Sequence, residues 1–158
     1  MSKTTRATQF LQQKAANFSI HTYAYDPDAD SIGLQAAEAL GEHPARVLKT
    51  LMALVDGKAV CVVIPSDREV SMKKLAAAFS GKSAQMMKPA DAERSTGYVV
   101  GGISPFGQKK LVPTAIEETA AGHGLVYLNG GQRGLQIRMN PADLVRLLGA
   151  KSVALVSD

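Results

Sequence analysis

The sequence predicts an α/β fold: a single domain over residues 1–158, with a mixed, curved sheet or partial barrel and helices packed outside it. Three observations predict it. Helix-period and strand-like segments are intermixed along the chain. Asp56-Gly57, a strong two-residue hairpin signal, joins two apolar strands, so part of the sheet is antiparallel. The chain has 158 residues, 46% hydrophobic and 20% charged, which suits one self-sufficient soluble core.

The elements follow in order. A helix is expected over Thr4–Ala16, with Ala7, Phe10, Leu11 and Lys14 on one face. Phe18–Tyr23 reads as a strand. Asp26–Asp30 is a polar loop, after which Asp30 or Ser31 caps a helix that ends at Gly41. Strands over Arg46–Val55 and Lys58–Ile64 flank the hairpin turn. Ser71–Phe79 places Met72, Leu75, Ala76 and Phe79 at helical spacing, with Gly81 as the stop. A short helix is expected over Ala90–Arg94, a strand over Tyr98–Val100 and a helix over Thr114–Thr119. Leu125–Leu128 and Leu135–Met139 read as strands around Asn129-Gly130-Gly131. Asn140-Pro141 starts a helix, with Pro at its first position, that runs to Gly149. Val153–Val156 is the last strand. No internal repeat, low-complexity tract or linker interrupts this order.

Composition narrows the function classes. No stretch approaches the ~18 apolar residues of a membrane span, and Met1–Arg6 lacks the apolar run of a secretory signal. A cytoplasmic protein with no membrane partner is expected. Cys61 is the only cysteine, so no internal disulfide is possible. Within Ala59–Ile64 it reads as a small core residue rather than a reactive thiol. The net charge of +4 comes with basic pairs such as Lys73-Lys74 and Lys109-Lys110. That balance permits a nucleic-acid or phosphorylated ligand without demanding one.

Conventional catalytic patterns are missing. His21, His43 and His123 are scattered and form no metal-ligand spacing, and neither metal nor cofactor is expected. No nucleophile elbow occurs, and Ser104 before Pro105 has no evident base. Two features stand out. Lys49 interrupts the apolar run Val47–Leu54. It either snorkels to solvent at an edge or projects into a polar cleft, where it would bind a phosphate or carbonyl oxygen. The segment Gly101-Gly102-Ile103-Ser104-Pro105-Phe106-Gly107 is either a simple turn or a loop whose backbone a small ligand approaches closely. It is not a phosphate-binding P-loop, because Gln108 stands where that motif needs Lys.

Five short motifs occur in one order: His21-Thr22-Tyr23, Val47-Leu48-Lys49-Thr50-Leu51, Met72-Lys73-Lys74, Ser95–Lys110 with its Gly-Gly loop, and Gly130–Leu135. Together they resemble the YbaK/EbsC family of Cys-tRNA(Pro) deacylases, within the prolyl-tRNA editing superfamily. The resemblance covers nearly the whole chain. It implies a single α/β domain and an enzyme that clears cysteine mischarged onto tRNA(Pro), with Cys-tRNA(Cys) left open as a second substrate. The partners it implies are the acceptor end of mischarged tRNA(Pro) and a transient complex with prolyl-tRNA synthetase, with no DNA. By the same resemblance Lys49 and Gly101 carry the catalytic roles. Tyr23, Ile32, Thr50, Gly102, Ser104 and Pro105 carry substrate binding. The family's reaction uses the substrate's own thiol to attack its ester, which makes the enzyme a hydrolase, or a lyase where a thiolactone leaves. Rival expectations are editing of another amino acid, such as alanine, or a non-catalytic module that binds tRNA or the synthetase. Two departures bear on the pocket: Ser31-Ile32-Gly33 has Ile32 where the family carries an aromatic ring, and Gln132 replaces a lysine.

Overall fold

The computed structural model describes residues 4–28 and 31–158, with the backbone alone at Ile32. Five α-helices and eight strands alternate among them: α1 Arg6–Gln13, β1 Phe18–Thr22, α2 Ile32–Leu40, β2 Leu48–Val55, β3 Lys58–Pro65, α3 Met72–Ala78, β4 Ala84–Met86, α4 Pro89–Thr96, β5 Thr114–Glu117, β6 Val126–Asn129, β7 Leu135–Met139, α5 Pro141–Leu148 and β8 Lys151–Val153. Side-chain caps fix the helix starts, because the first amides of a helix have no partner within it. Thr5 and Thr8 form a reciprocal capping box at α1, Ser31 caps α2, Ser71 caps α3 and Asn140 caps α5. The alternative cap of α2, Asp30, lies outside the described residues.

The strands form two sheets. The larger has the order β4-β2-β3-β5-β8, the smaller β1-β7-β6. Asp56 and Gly57 both have positive φ, 49° and 81°, as the expected hairpin turn requires, and β2 pairs with β3 from Val55↔Lys58 out to Leu48↔Pro65. β5 and β8 add in parallel. A parallel bridge, Val47↔Tyr127, joins the two sheets without closing a barrel.

Each sheet face has its own cover. Leu48, Met52, Cys61, Val63 and Ile116 pack with Leu128, Ile137 and Met139 of the small sheet, and with Leu11 and Leu144 of α1 and α5. Ala53, Val62, Ile64 and Ala115, on the opposite face, pack under Leu75 of α3. Burying each large apolar side chain contributes about 1.5–3 kcal/mol. A third cluster lies under α2, where Ala36 and Ala37 meet Val47, Tyr23 and Tyr127.

Three expected elements are corrected. Thr114–Glu117 is a strand, not a helix. Ala115 and Ile116 are fully enclosed on opposite faces between β3 and β8, and this burial overrides the local helix preference. A 3₁₀ turn, Glu118–Gly122, follows it. Tyr98–Val100 is not a strand. Gly97 (φ 80°) caps α4, the Val100 amide donates to the Glu93 carboxylate at 2.8 Å, and the Gly102 amide closes a turn on the Val99 carbonyl at 2.8 Å. The last strand is Lys151–Val153, and the Leu155 and Val156 amides donate instead to the buried Glu117 carboxylate.

Candidate active site

A cavity of about 290 Å³ opens along β2. Its position follows from how β2 is paired. On its outer edge β4 joins only at Ala53–Val55, and the bridge at Val47 holds the other end. Residues 48–52 lie between, and all five line the cavity. Met86, Met87, Pro89 and Ala92 form one wall, and Val100, Gly101 and Ile103 another. Asn129 and Gln136 of the small sheet close it, with Ser31 and Gly33 at the start of α2.

Among the described residues, Lys49 is the one charged side chain in this lining. It is mostly enclosed, and its Nζ lies 3.8 Å from Oε1 of the exposed Glu69. Lys49 thus borders the cavity while its ammonium reaches toward an exposed carboxylate. Thr50 stands beside it, and its buried hydroxyl has no hydrogen-bond partner.

The Gly-Gly loop is held by its neighbours. Asn129 Nδ2 donates to the Gly101 carbonyl at 3.0 Å, while Asn129 Oδ1 accepts from the amides of Gly131 (2.6 Å) and Gln132 (3.1 Å). Arg133 Nε donates to the Val100 carbonyl at 3.0 Å. Gly101 has φ 90°, a conformation that favours glycine. A Cβ on Gly102 would meet the Arg133 amide nitrogen at 2.9 Å. The two turns are therefore clamped together, and a side chain at Gly102 would pry them apart.

The expected site residues divide into two groups. Lys49, Thr50 and Gly101 come together on the cavity. Gly102, Ser104, Pro105 and Tyr23 do not line it. Ser104 is fully buried, and its Oγ accepts from the Phe106 amide at 3.2 Å. Its carbonyl takes Gln108 Nε2 at 3.0 Å, so Ser104 and Pro105 shape the loop from behind. Tyr23 packs under α2 with Tyr127 and Val47. The side chain of Ile32 lies outside the described residues.

Asn129, Gln136, Met86 and Met87 were not expected from the sequence. Asn129 and Gln136 are directly paired across β6 and β7, so their side chains share one face. Alternating polar positions in short strands read as a solvated surface. Here that surface faces a cavity instead.

The remaining reactive groups lie elsewhere. Cys61 is buried, and burial pushes its thiol up to about 12, with Gln108 and Thr114 hydrogen bonds opposing. His21 is lowered by burial and by nearby Arg138, against a smaller opposing effect of Glu42, and its Nε2 lies 2.8 Å from Ser19 Oγ. Neither group lines the cavity. Among the described residues, no three His, Cys, Asp or Glu side chains gather as a metal ion would need, and no helix is long and apolar enough to cross a membrane.

Residues 26–147 match the family model described as the aminoacyl-tRNA editing domain. The chain belongs to that family. The aminoacyl-tRNA editing domain thus holds every cavity-lining residue within its bounds. Among relatives, EbsC of Enterococcus faecalis, provisionally named a Cys-tRNA(Pro)/Cys-tRNA(Cys) deacylase, is 34% identical over 90% of this chain and 87% of its own. A multifunctional Ser/Thr-tRNA deacylase of Escherichia coli, ProXp-y, is 24% identical over 90% of this chain and 86% of its own. The proline–tRNA ligase of Streptomyces coelicolor is 32% identical over 68% of this chain, which spans 18% of the ligase. A solved structure provisionally described as a trans-editing enzyme for prolyl-tRNA synthetase superposes with a TM-score of 0.83 at 21% identity, covering 97% of this chain and 96% of its own, and shows the same fold. In class, this editing-domain protein is an aminoacyl-tRNA deacylase.

Proposed function

We propose that the chain acts as one editing domain that removes cysteine from mischarged Cys-tRNA(Pro), in the cytoplasm and in transient complex with prolyl-tRNA synthetase. The observation that carries this reading is the make-up of the cavity. It has one lysine, an apolar wall with three methionines, and no Cys, His, Asp or Glu among its described lining residues. A site of this kind positions and polarises an ester but brings no thiol, imidazole or carboxylate to attack it or to activate a hydroxyl among its described residues. The volume supports the same reading. It lies at the lower end of small-molecule sites, ~300–1,000 Å³, which suits an aminoacyl group with the terminal adenosine left at the mouth.

The substrate thiol supplies the missing nucleophile. Its sulfur attacks the ester carbonyl carbon, a C–S bond forms, and the C–O bond to the tRNA breaks. The thiol proton ends on the released 3′-hydroxyl, and the cyclic thiolactone leaves. Lys49 stabilises the oxyanion or the terminal phosphate, and the Gly101 backbone fixes the ester beside it. A pocket alone separates amino acids of similar size by only ~1–3 kcal/mol, so requiring a thiol adds selectivity that shape cannot.

The test is deacylation of Cys-, Ser-, Thr- and Ala-charged tRNA(Pro) by the purified protein, with products identified by mass spectrometry. Fast loss of cysteine with a thiolactone product supports the reading. Equal cleavage of the alanyl ester would overturn the substrate-assisted step, and preferred cleavage of seryl or threonyl esters would assign the specificity named for the Escherichia coli relative.

A further inference from the structure

We infer that the Gln136 side chain, with the Thr50 hydroxyl beside the same cavity, binds the free α-amino group of the aminoacyl ester. This rests on the reading of the cavity as the aminoacyl site. Gln136 is only 3% exposed, yet its Oε1 has no hydrogen-bond partner. The Thr50 Oγ1 is likewise buried and unpaired. A buried polar atom without a partner costs about 1–3 kcal/mol, so a fold that keeps two of them on one cavity leaves them for something that enters it.

The other polar groups of the lining identify what that is. The Asn129 oxygen is fully engaged by two backbone amides, and its amide nitrogen donates to Gly101. Ser31 Oγ accepts from the Leu34 amide. Lys49 is a donor only. Among the described lining residues, Gln136 Oε1 and Thr50 Oγ1 are therefore the buried side-chain oxygens left without a partner. An aminoacyl ester offers one strong donor group, its α-amine, and the rest of its aminoacyl part is an apolar stem and acceptor oxygens. The donor of the ligand and the acceptors of the cavity complement each other. Lys49, the only cation among the described lining residues, takes the oxygens.

Both acceptors are neutral. A carboxylate would favour the ammonium form strongly, whereas an amide oxygen accepts from either protonation state. Binding through Gln136 then depends less on protonation of the amine than binding through a carboxylate would. The Gln136→Glu variant should make binding depend on pH, tightening where the amine is charged and the carboxylate ionised.

Binding of two non-hydrolysable analogues tests the contact without turnover. One is adenosine carrying a 3′-cysteinylamido group. The other carries 3-mercaptopropionylamido, which lacks only the amine. The native protein should bind the first at least tenfold more tightly by calorimetry, and Gln136→Leu should bind the two within about twofold. Thermal melting gives an independent arm: Gln136→Leu removes an unpaired buried amide oxygen and should melt at or above the native temperature, where a structural glutamine would melt lower. Equal binding of both analogues to the native protein, or full discrimination kept by a folded Gln136→Leu, would overturn the assignment. Failure of the cysteine reading is seen separately, because Ser-, Thr- and Ala-esters carry the same α-amine. A protein that spares Cys-tRNA(Pro) but still prefers amine-bearing analogues keeps this contact.

Discussion

Lys49 is the only charged residue among the described lining of an apolar cavity, and its removal is the sharpest single-residue test. Lys49→Ala should lower deacylation about a hundred- to a thousand-fold, as losing one oxyanion contact costs ~2.7–4 kcal/mol. The fold should survive, since Lys49 makes only a long ion pair to an exposed carboxylate. Single-turnover rates with far-ultraviolet circular dichroism as a fold control measure both effects. Cys61 is the opposite case. Buried, with its thiol held at about 12 and no place on the cavity, it should be dispensable: Cys61→Ala should keep near-native turnover and lose some melting temperature through a small core void. An inactive but folded Cys61→Ala would return the nucleophile to the protein. Lys49 was legible in the sequence because a charge inside an apolar strand has few resting places. Gln136 was not, because a polar residue at every second position of a strand is what an outward face looks like.

The Gly-Gly loop works as an element only because Asn129 ties it to the turn after β6. Asn129→Ala would leave the Gly101 carbonyl and two turn amides without their partner. Unpaired groups of this kind cost about 1–3 kcal/mol each when buried, so the variant should melt lower and lose kcat more than it raises KM. Asn129→Asp keeps the acceptor for the two amides and loses the donor to Gly101. It should therefore recover stability better than activity, and matched recovery of the two would remove the loop from catalysis. Caps and turns made most elements readable: Ser71, Asn140-Pro141 and Asp56-Gly57 each carry a local chemical reason for where a helix starts or a strand reverses. Thr114–Glu117 was misread because its cause is not local. Its neighbours β3 and β8 lie far away in sequence, and a strand buried on both faces has no alternation to show. The apolar run Tyr98–Val100 failed for the related reason that a helix cap and a turn consumed it.

At the scale of the whole molecule, Glu117 ties the last residues of the chain to the middle of the large sheet. Burial pushes its carboxyl upward, but the amides of Leu155, Thr119 and Val156 outweigh this and hold it below the usual carboxylate value. A group whose folded-state pKa is depressed contributes stability above its unfolded value, ~4.3, and loses it as pH falls through the folded one. Stability should fall on acidification below about pH 4, and Glu117→Gln should flatten that acid limb while lowering stability at neutral pH. Denaturant midpoints across pH decide it, and an unchanged acid limb in the variant would place the sensitive group elsewhere. Charge sets the other global property. A net +4, with basic residues in scattered pairs rather than one stripe, offers few phosphate contacts. Neutralising ~3 phosphates of a single-stranded acceptor end gives a slope of roughly −2 in log K against log salt. Free tRNA should therefore bind weakly and lose affinity gently as salt rises. Recruitment through a synthetase already holding the tRNA would compensate by raising effective concentration, so adding prolyl-tRNA synthetase should raise the deacylation rate at low enzyme concentration and change it little at saturation. Tight, base-specific binding of tRNA to the protein alone at physiological salt would overturn this view and give the domain its own means of selecting tRNA.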